Sequence, residues 1–282
     1  MTQSLTIRNY HFEWGKRTYL MGILNVTPDS FSDGGNFCSV DNAVKQALKM
    51  VDEGADIIDI GGQSTRPGAK QITLEEELNR VIPVVQALRQ KSDIPISVDT
   101  TRSEVAKEAI ASGADIINDI SGGTFDQEML PTIAKLNVPI ILMHIKGTPE
   151  TMQSLTDYQD LIGEIQDFLQ KQINQATNLG IKKEHIIIDI GIGFAKNYEQ
   201  NIELLRAISQ FKLMNFPLLV GTSRKSFIGK ILNQDDPKKR VWGTAASCAY
   251  AITQGVDILR VHDVAPMYDI VRVTDAISRR LN

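Results

Sequence analysis

Asn25, Asp99, Asn118, His144 and Asp189 each close or directly follow a short apolar run rich in Ile, Val and Leu. Asp59 lies within another such run, and Arg260 and His262 stand at the end of a further one. A run over 217–220 leads into Gly221-Thr222-Ser223-Arg224-Lys225-Ser226. Two kinds of chemistry follow. Arg66, Lys225, Arg260 and His262 form a cationic set suited to a phosphate or pyrophosphate, for which arginine offers a planar fork of donors. Asp99, Asn118 and Asp189 form a second set, matched to a heterocycle that carries N–H donors and ring-nitrogen acceptors. Each residue also admits a plain structural role: Asp59 as a hydrogen-bond partner within its strand, His144 as a core histidine, Asp189 as a helix cap or ion-pair partner, Lys225 as a solvated cation. A whole ring of such groups is harder to explain by folding, because buried unpaired polar groups cost stability. His11 and His185 have no companions. Four histidines and two cysteines show no zinc spacing, so the metal expected is Mg²⁺, which prefers oxygen ligands and accompanies phosphates.

These residues need a scaffold that gathers strand ends. Eight strand candidates are legible: Leu20–Val26, Asp56–Ile60, Ile94–Val98, Asp115–Asn118, Val138–Met143, His185–Asp189, Pro217–Val220 and Ile258–Val261. Helical patterns lie between them, among them Asn42–Asp52, Leu74–Gln90, Ser103–Ala111 and Tyr158–Leu179. Continuous apolar runs without period-two alternation fit strands buried on both faces of a parallel sheet. Gly54-Ala55-Asp56-Ile57-Ile58 recurs as Gly113-Ala114-Asp115-Ile116-Ile117 and as Gly255-Val256-Asp257-Ile258-Leu259. In each copy the Gly suits a left-handed helix cap just before a strand. Eight alternating units favour a (β/α)8 TIM barrel, whose active site lies at the C-terminal ends of its strands. The segment Leu5–Thr18 reads as an added N-terminal β-hairpin closing the barrel floor, with a turn at Trp14-Gly15-Lys16.

Composition excludes several classes. The chain of 282 residues, 42% hydrophobic and 23% charged, is that of an ordinary globule and reads as one domain over 1–282. A net charge of −4 offers no global field for nucleic acid or anionic membrane. The N-terminus lacks the apolar core of a signal peptide or anchor. Cysteine usage suits a reducing cytoplasm.

Between Met21 and Gly35 stands Met-Gly-Ile-Leu-Asn-Val-Thr-Pro-Asp-Ser-Phe-Ser-Asp-Gly-Gly, and from Asp59 to Gly68 Asp-Ile-Gly-Gly-Gln-Ser-Thr-Arg-Pro-Gly. Ser97-Val98-Asp99-Thr100, Ile117-Asn118-Asp119-Ile120, Ser223-Arg224-Lys225-Ser226 and Arg260-Val261-His262-Asp263 follow in order. Together these motifs resemble those of the dihydropteroate synthases along essentially the whole chain. The departures are Gln63 for a common Glu, Ile190 for a common Pro, and Ala195 for a common Gly. The resemblance implies condensation of 6-hydroxymethyl-7,8-dihydropterin pyrophosphate with p-aminobenzoate. It implies that Asp99, Asn118, Asp189 and Lys225 hold the pterin, and that Asn25, Arg66, Arg260 and His262 hold the pyrophosphate, with Mg²⁺ at Asn25. Thr65, Pro67, Phe31, Phe194 and Ser226 would shape the p-aminobenzoate pocket, where sulfonamides compete, and Asp33 with Asp99 would favour a pterin cation. A homodimer is implied as well. Two alternatives are a catalytically silent pterin-binding homologue, which would have lost loop residues that this chain keeps, and a pterin-dependent methyltransferase-like barrel, which would have no pyrophosphate to hold.

Overall fold

The computed structural model describes residues 4–27 and 36–279. An antiparallel hairpin, β1 (Ser4–Ile7) and β2 (Tyr10–Glu13), precedes the barrel strands. These are β3 (Tyr19–Asn25), β4 (Ile57–Gly61), β5 (Ile96–Asp99), β6 (Ile116–Asp119), β7 (Ile140–Met143), β8 (Ile186–Asp189), β9 (Leu218–Val220) and β10 (Ile258–Val261). All eight pair in parallel, and β10 closes on β3. The outer layer comprises α1 (Asn36–Asp52), α2 (Leu74–Arg89), α3 (Ser103–Ala111), α4 (Met129–Leu136), α5 (Leu161–Asn178), α6 (Tyr198–Arg206), α7 (Ile208–Lys212), α8 (Ser226–Leu232), α9 (Val241–Thr253) and α10 (Val264–Ser278). The TIM barrel expected from the alternation is therefore present. Local chemistry starts the helices: Thr73 accepts from Glu76 N at 3.1 Å, and Asn197 and Gln200 form a reciprocal capping box.

The repeated Gly–x–Asp has a physical account. Gly54, Gly113 and Gly255 adopt φ of 102°, 111° and 92°, the left-handed turn that ends a helix cheaply only at glycine. The Asp three positions before the heart of each strand then takes up a backbone N–H of the neighbouring strand. Asp56 accepts from Leu20 N (2.8 Å), Asp115 from Ile96 N (2.9 Å) and Asp257 from Leu218 N (2.8 Å). Arg17, Arg89 and Lys212 neutralise the three carboxylates in turn. The repeat thus staples the floor of the barrel.

The apolar runs hide an alternation. Leu20, Ile58, Ile96, Ile117, Ile140, Ile186, Leu218 and Leu259 face the helices. Met21, Ile57, Ile116, Ile141, Ile187, Leu219 and Ile258 face inward and pack beneath the hairpin residues Leu5, Ile7, Phe12 and Trp14. The hairpin plugs the floor as expected, but its reversal lies at Arg8 and Asn9, with Arg8 at φ 53°. The turn at 14–16 instead joins β2 to the first barrel strand. Because strand side chains alternate, the inward positions one step further along are Asp59, Asp99, Asn118, Asp189 and Arg260. A greasy lower layer therefore supports a polar upper one. Ile187→Val, which removes one methylene from the lower layer, is expected to cost about 1 kcal/mol in urea unfolding without changing ligand affinity.

Candidate active site

The upper layer is wired through Arg260. Its Nε donates to Asp59 Oδ2 (2.6 Å) and its Nη2 to Asp99 Oδ2 (2.7 Å). Asn118 Nδ2 donates to the same Asp59 oxygen at 3.1 Å. Asp59 is fully buried and Asp99 and Asn118 nearly so. Burial pushes the Asp99 carboxyl up to about 7; Arg260 opposes the shift, and Asp59 and Glu77 add to it. Burial also works against the Arg260 charge, but the two carboxylates hold the guanidinium more firmly protonated than usual. Arg260 thus stands among the acids. The cationic and acidic sets read from the sequence therefore meet in one ion cluster, because residue 260 occupies an inward strand position at the level of 59 and 99. Gly61 leaves a gap beside the cluster: a Cβ there would lie 3.6 Å from Asp99 Cβ and 3.8 Å from Asn25 Oδ1.

A second group adjoins the first. Asp189, at the end of β8, accepts from Gly191 N at 2.7 Å. Its pKa is raised by burial, against the pull of that N–H, Lys225 and Arg260. Lys225 precedes α8, and its Nζ donates to Ile192 O at 2.6 Å and lies 4.2 Å from the centre of the Phe194 ring. Burial lowers its pKa to about 8, with Asp189 opposing. Gly193 allows this approach, since a Cβ there would meet the lysine chain at 2.8 Å. Phe194 itself sits in an apolar wall with Ile120, Met143, Ile145 and Met152.

His262 stands at the mouth of β10. Its backbone N donates to Ser223 Oγ at 3.1 Å, which leaves the Ser223 hydroxyl hydrogen for His262 Nδ1 at 3.0 Å. Burial, Arg224 and Arg260 hold the imidazole pKa down at about 3, with Asp263 opposing. His262 is therefore held as a neutral Nε2–H donor, not the cation expected from sequence. Arg224, at φ 59°, forms a bidentate pair with Asp263 (2.9 and 2.5 Å) that fixes the strand-nine loop. Arg66 and Pro67 are exposed on the second loop with Thr65 half-buried, and Ser226 is exposed at the start of α8. Phe31 and Asp33 lie outside the described residues.

Sequence reasoning brought together Asp99, Asn118, Asp189, Lys225, Arg260 and His262, but it left Asp59 ambiguous and passed over Ser223 and Lys196. Asp59 is the acceptor shared by Asn118 and Arg260. Its signal was a carboxylate two positions from a purely apolar inward residue, Ile57. The departures are accommodated locally: Ile190 is buried in the core, and Ala195 takes φ 51°. Ala195→Gly relieves the left-handed strain but loses a buried methyl and loosens the unfolded chain. The expected net change in thermal unfolding is below about 1 kcal/mol.

Among the described residues no group of three His, Cys, Asp or Glu is placed to hold a metal. A lumen of carboxylates and an amide around a guanidinium, with a lysine over an aromatic wall and an imidazole at the mouth, can hold a flat polar heterocycle and an anion beside it. Comparison with known proteins agrees. The pterin-binding enzyme family matches residues 21–262. A dihydropteroate synthase of Synechocystis sp. is 62% identical over 268 residues, which is 95% of this chain and 93% of that protein. A Clostridium difficile dihydropteroate synthase solved in the presence of pteroic acid superposes with a TM-score of 0.91 at 49% identity, over 95% of this chain and 100% of that one. The Yersinia pestis dihydropteroate synthase solved with a sulfonamide drug gives 0.91 at 43% identity, over 97% and 98%. The match runs from the first barrel strand to the imidazole at the mouth of the last, and on that span the chain belongs to the pterin-binding enzymes, within the dihydropteroate synthase family.

Proposed function

We propose that this barrel is a transferase of folate synthesis that joins 6-hydroxymethyl-7,8-dihydropterin pyrophosphate to p-aminobenzoate, releasing 7,8-dihydropteroate and pyrophosphate. The observation that carries the reading is the lumen cluster in which Arg260 bridges Asp59 and Asp99 and Asn118 donates to Asp59, within electrostatic reach of Asp189 and Lys225. Asp99, Asn118 and Asp189 accept from and donate to the edge of the pterin ring, and Lys225 donates to its acceptors. Arg66, Arg260 and His262 receive the departing pyrophosphate. Thr65, Pro67, Phe31, Phe194 and Ser226 shape the p-aminobenzoate pocket, where sulfonamides compete.

The C–O bond at the pterin methylene breaks first and leaves a delocalised cation, which Asp99 and Asp33 favour by their charge. The neutral arylamine then attacks the methylene and loses a proton. Positioning and fixed charges supply the rate. Asn25 fits Mg²⁺: its amide oxygen and the Asp99 side chain flank the gap at Gly61, and a single protein oxygen suits an ion that otherwise keeps waters and substrate phosphates. When bound, the metal supplies charge neutralisation to the leaving group.

A homodimer is supported by apolar side chains on the last helices: Trp242 is 74% exposed, Val273 60% and Ile277 80%. A reducing cytoplasm is supported by Cys248, a buried free thiol. No described helix is long and apolar enough to cross a membrane. The test is pyrophosphate release on mixing the protein with both substrates and Mg²⁺, with each omitted in turn. Release at the full rate only in the complete mixture is expected; equally fast release without the arylamine would mean that water takes the pterin methylene and would make the protein a hydrolase of the pterin pyrophosphate ester instead.

A further inference from the structure

Behind the β8–α6 loop lies a buried lysine that the reaction above does not use. Lys196 is 2% exposed, and so is His144. Lys196 Nζ donates to Phe194 O at 2.8 Å and lies 3.0 Å from His144 Nδ1. No described ion pair includes Lys196; burial pulls its pKa well below the ordinary lysine value, and Asp189 opposes that shift from a distance. A buried ammonium normally keeps a carboxylate partner; here a neutral imidazole and a carbonyl take that place. Burial and Lys196 together hold the His144 pKa down at about 2, which agrees with a lone pair on Nδ1 facing a Lys196 N–H.

The pair sits where the loop must be held. His144 N donates to Asp189 O (3.1 Å), and a Cβ on Gly191 would lie 2.0 Å from His144 O. Tyr158 OH donates to Ala195 O (3.0 Å), and Gly193 N donates to Asn201 Oδ1 (2.6 Å). The tightly turned backbone from Gly191 to Ala195 carries the N–H that orients Asp189, the carbonyl that orients Lys225 and the ring under Lys225. We propose that Lys196 and His144 are a positioning pair, in which the Lys196 N–H groups clamp the Phe194 carbonyl against the imidazole so that Asp189, Lys225 and Phe194 are aligned for the pterin ring. The proposal rests on the assignment of Asp189 and Lys225 to that ring.

The test separates positioning from stability. His144→Phe leaves a buried Lys196 N–H donor without its acceptor, so both thermal stability and affinity for 6-hydroxymethyl-7,8-dihydropterin pyrophosphate, measured without arylamine, are expected to fall, the affinity by about tenfold. Adding Lys196→Met removes the unmatched donor, which restores most of the stability, the remainder being the cost of the Phe194 carbonyl left without its partner. Affinity is expected to stay about tenfold weakened in the double variant. Wild-type affinity in a folded double variant would overturn the proposal. In the unmodified protein, ¹⁵N NMR is expected to show His144 as the Nε2–H tautomer, unchanged between about pH 5 and 8; an Nδ1–H signal would overturn the clamp even if the variants fail to fold. An unmodified protein that binds no pterin would overturn the function proposed above and leave the NMR result standing.

Discussion

Arg260→Met is expected to abolish pyrophosphate release and to destabilise the protein by about 3–5 kcal/mol, because it strands two buried carboxylates around one missing cation. Asp59 has no exposure and Asp99 very little, and both direct their Oδ2 atoms at this guanidinium. Without it the two acids repel each other at short range in a medium that screens poorly. Asn118 also loses its geometry, since its amide shares the Asp59 oxygen that Arg260 holds. Arg260→Lys is expected to recover only part of the loss. A lysine supplies the charge but not the fork that reaches two carboxylates from one planar group. Urea unfolding reads the stability and pyrophosphate release reads the turnover. A methionine variant as stable as its parent would mean that the carboxylates do not depend on this cation, and the electrostatic description of the lumen would fall.

The cluster also shows what could be read in the sequence and what could not. The eight strands and the polar residues at their ends were legible because each apolar run stops at a polar residue. The alternation was not legible, because the lower inward positions apart from Ser97 are Ile, Leu and Met like most of the outward ones, and the polar upper layer is what breaks the pattern. Ionisation states escaped for a different reason. His262 and Arg260 look alike as bases beside Asp263, yet one is held neutral by burial and neighbouring arginines and the other is locked between carboxylates 161 and 201 residues away in sequence. Lys196 was passed over because nothing in Gly193-Phe194-Ala195-Lys196 signals that the lysine turns inward to an imidazole from another strand.

The same cluster predicts opposite effects on stability and rate for Asp99→Asn. The folded-state pKa of Asp99 is raised to about 7, above the unfolded carboxylate value of about 3.9. The folded protein therefore holds a proton that the unfolded chain has released. Stability from this group is full below the unfolded value and is lost as pH rises through about 7. Asparagine keeps an oxygen for Arg260 Nη2 and carries no proton to lose. The variant is expected to match its parent near pH 4 and to be more stable by about 1–3 kcal/mol at pH 8. Arg260 keeps Asp59 as its counter-ion, so no orphan cation offsets the gain. Turnover should move the other way, falling by about a hundredfold, because a neutral amide no longer favours positive charge on the pterin methylene. In the parent, turnover should decline below an inflection near pH 7, as protonation removes the same charge. Thermal unfolding across the pH range and the pH profile of pyrophosphate release check both halves. A variant that loses stability at pH 8, or a parent profile flat through neutrality, would show that Asp99 is an ordinary ionised carboxylate and remove it from the chemistry of the cation.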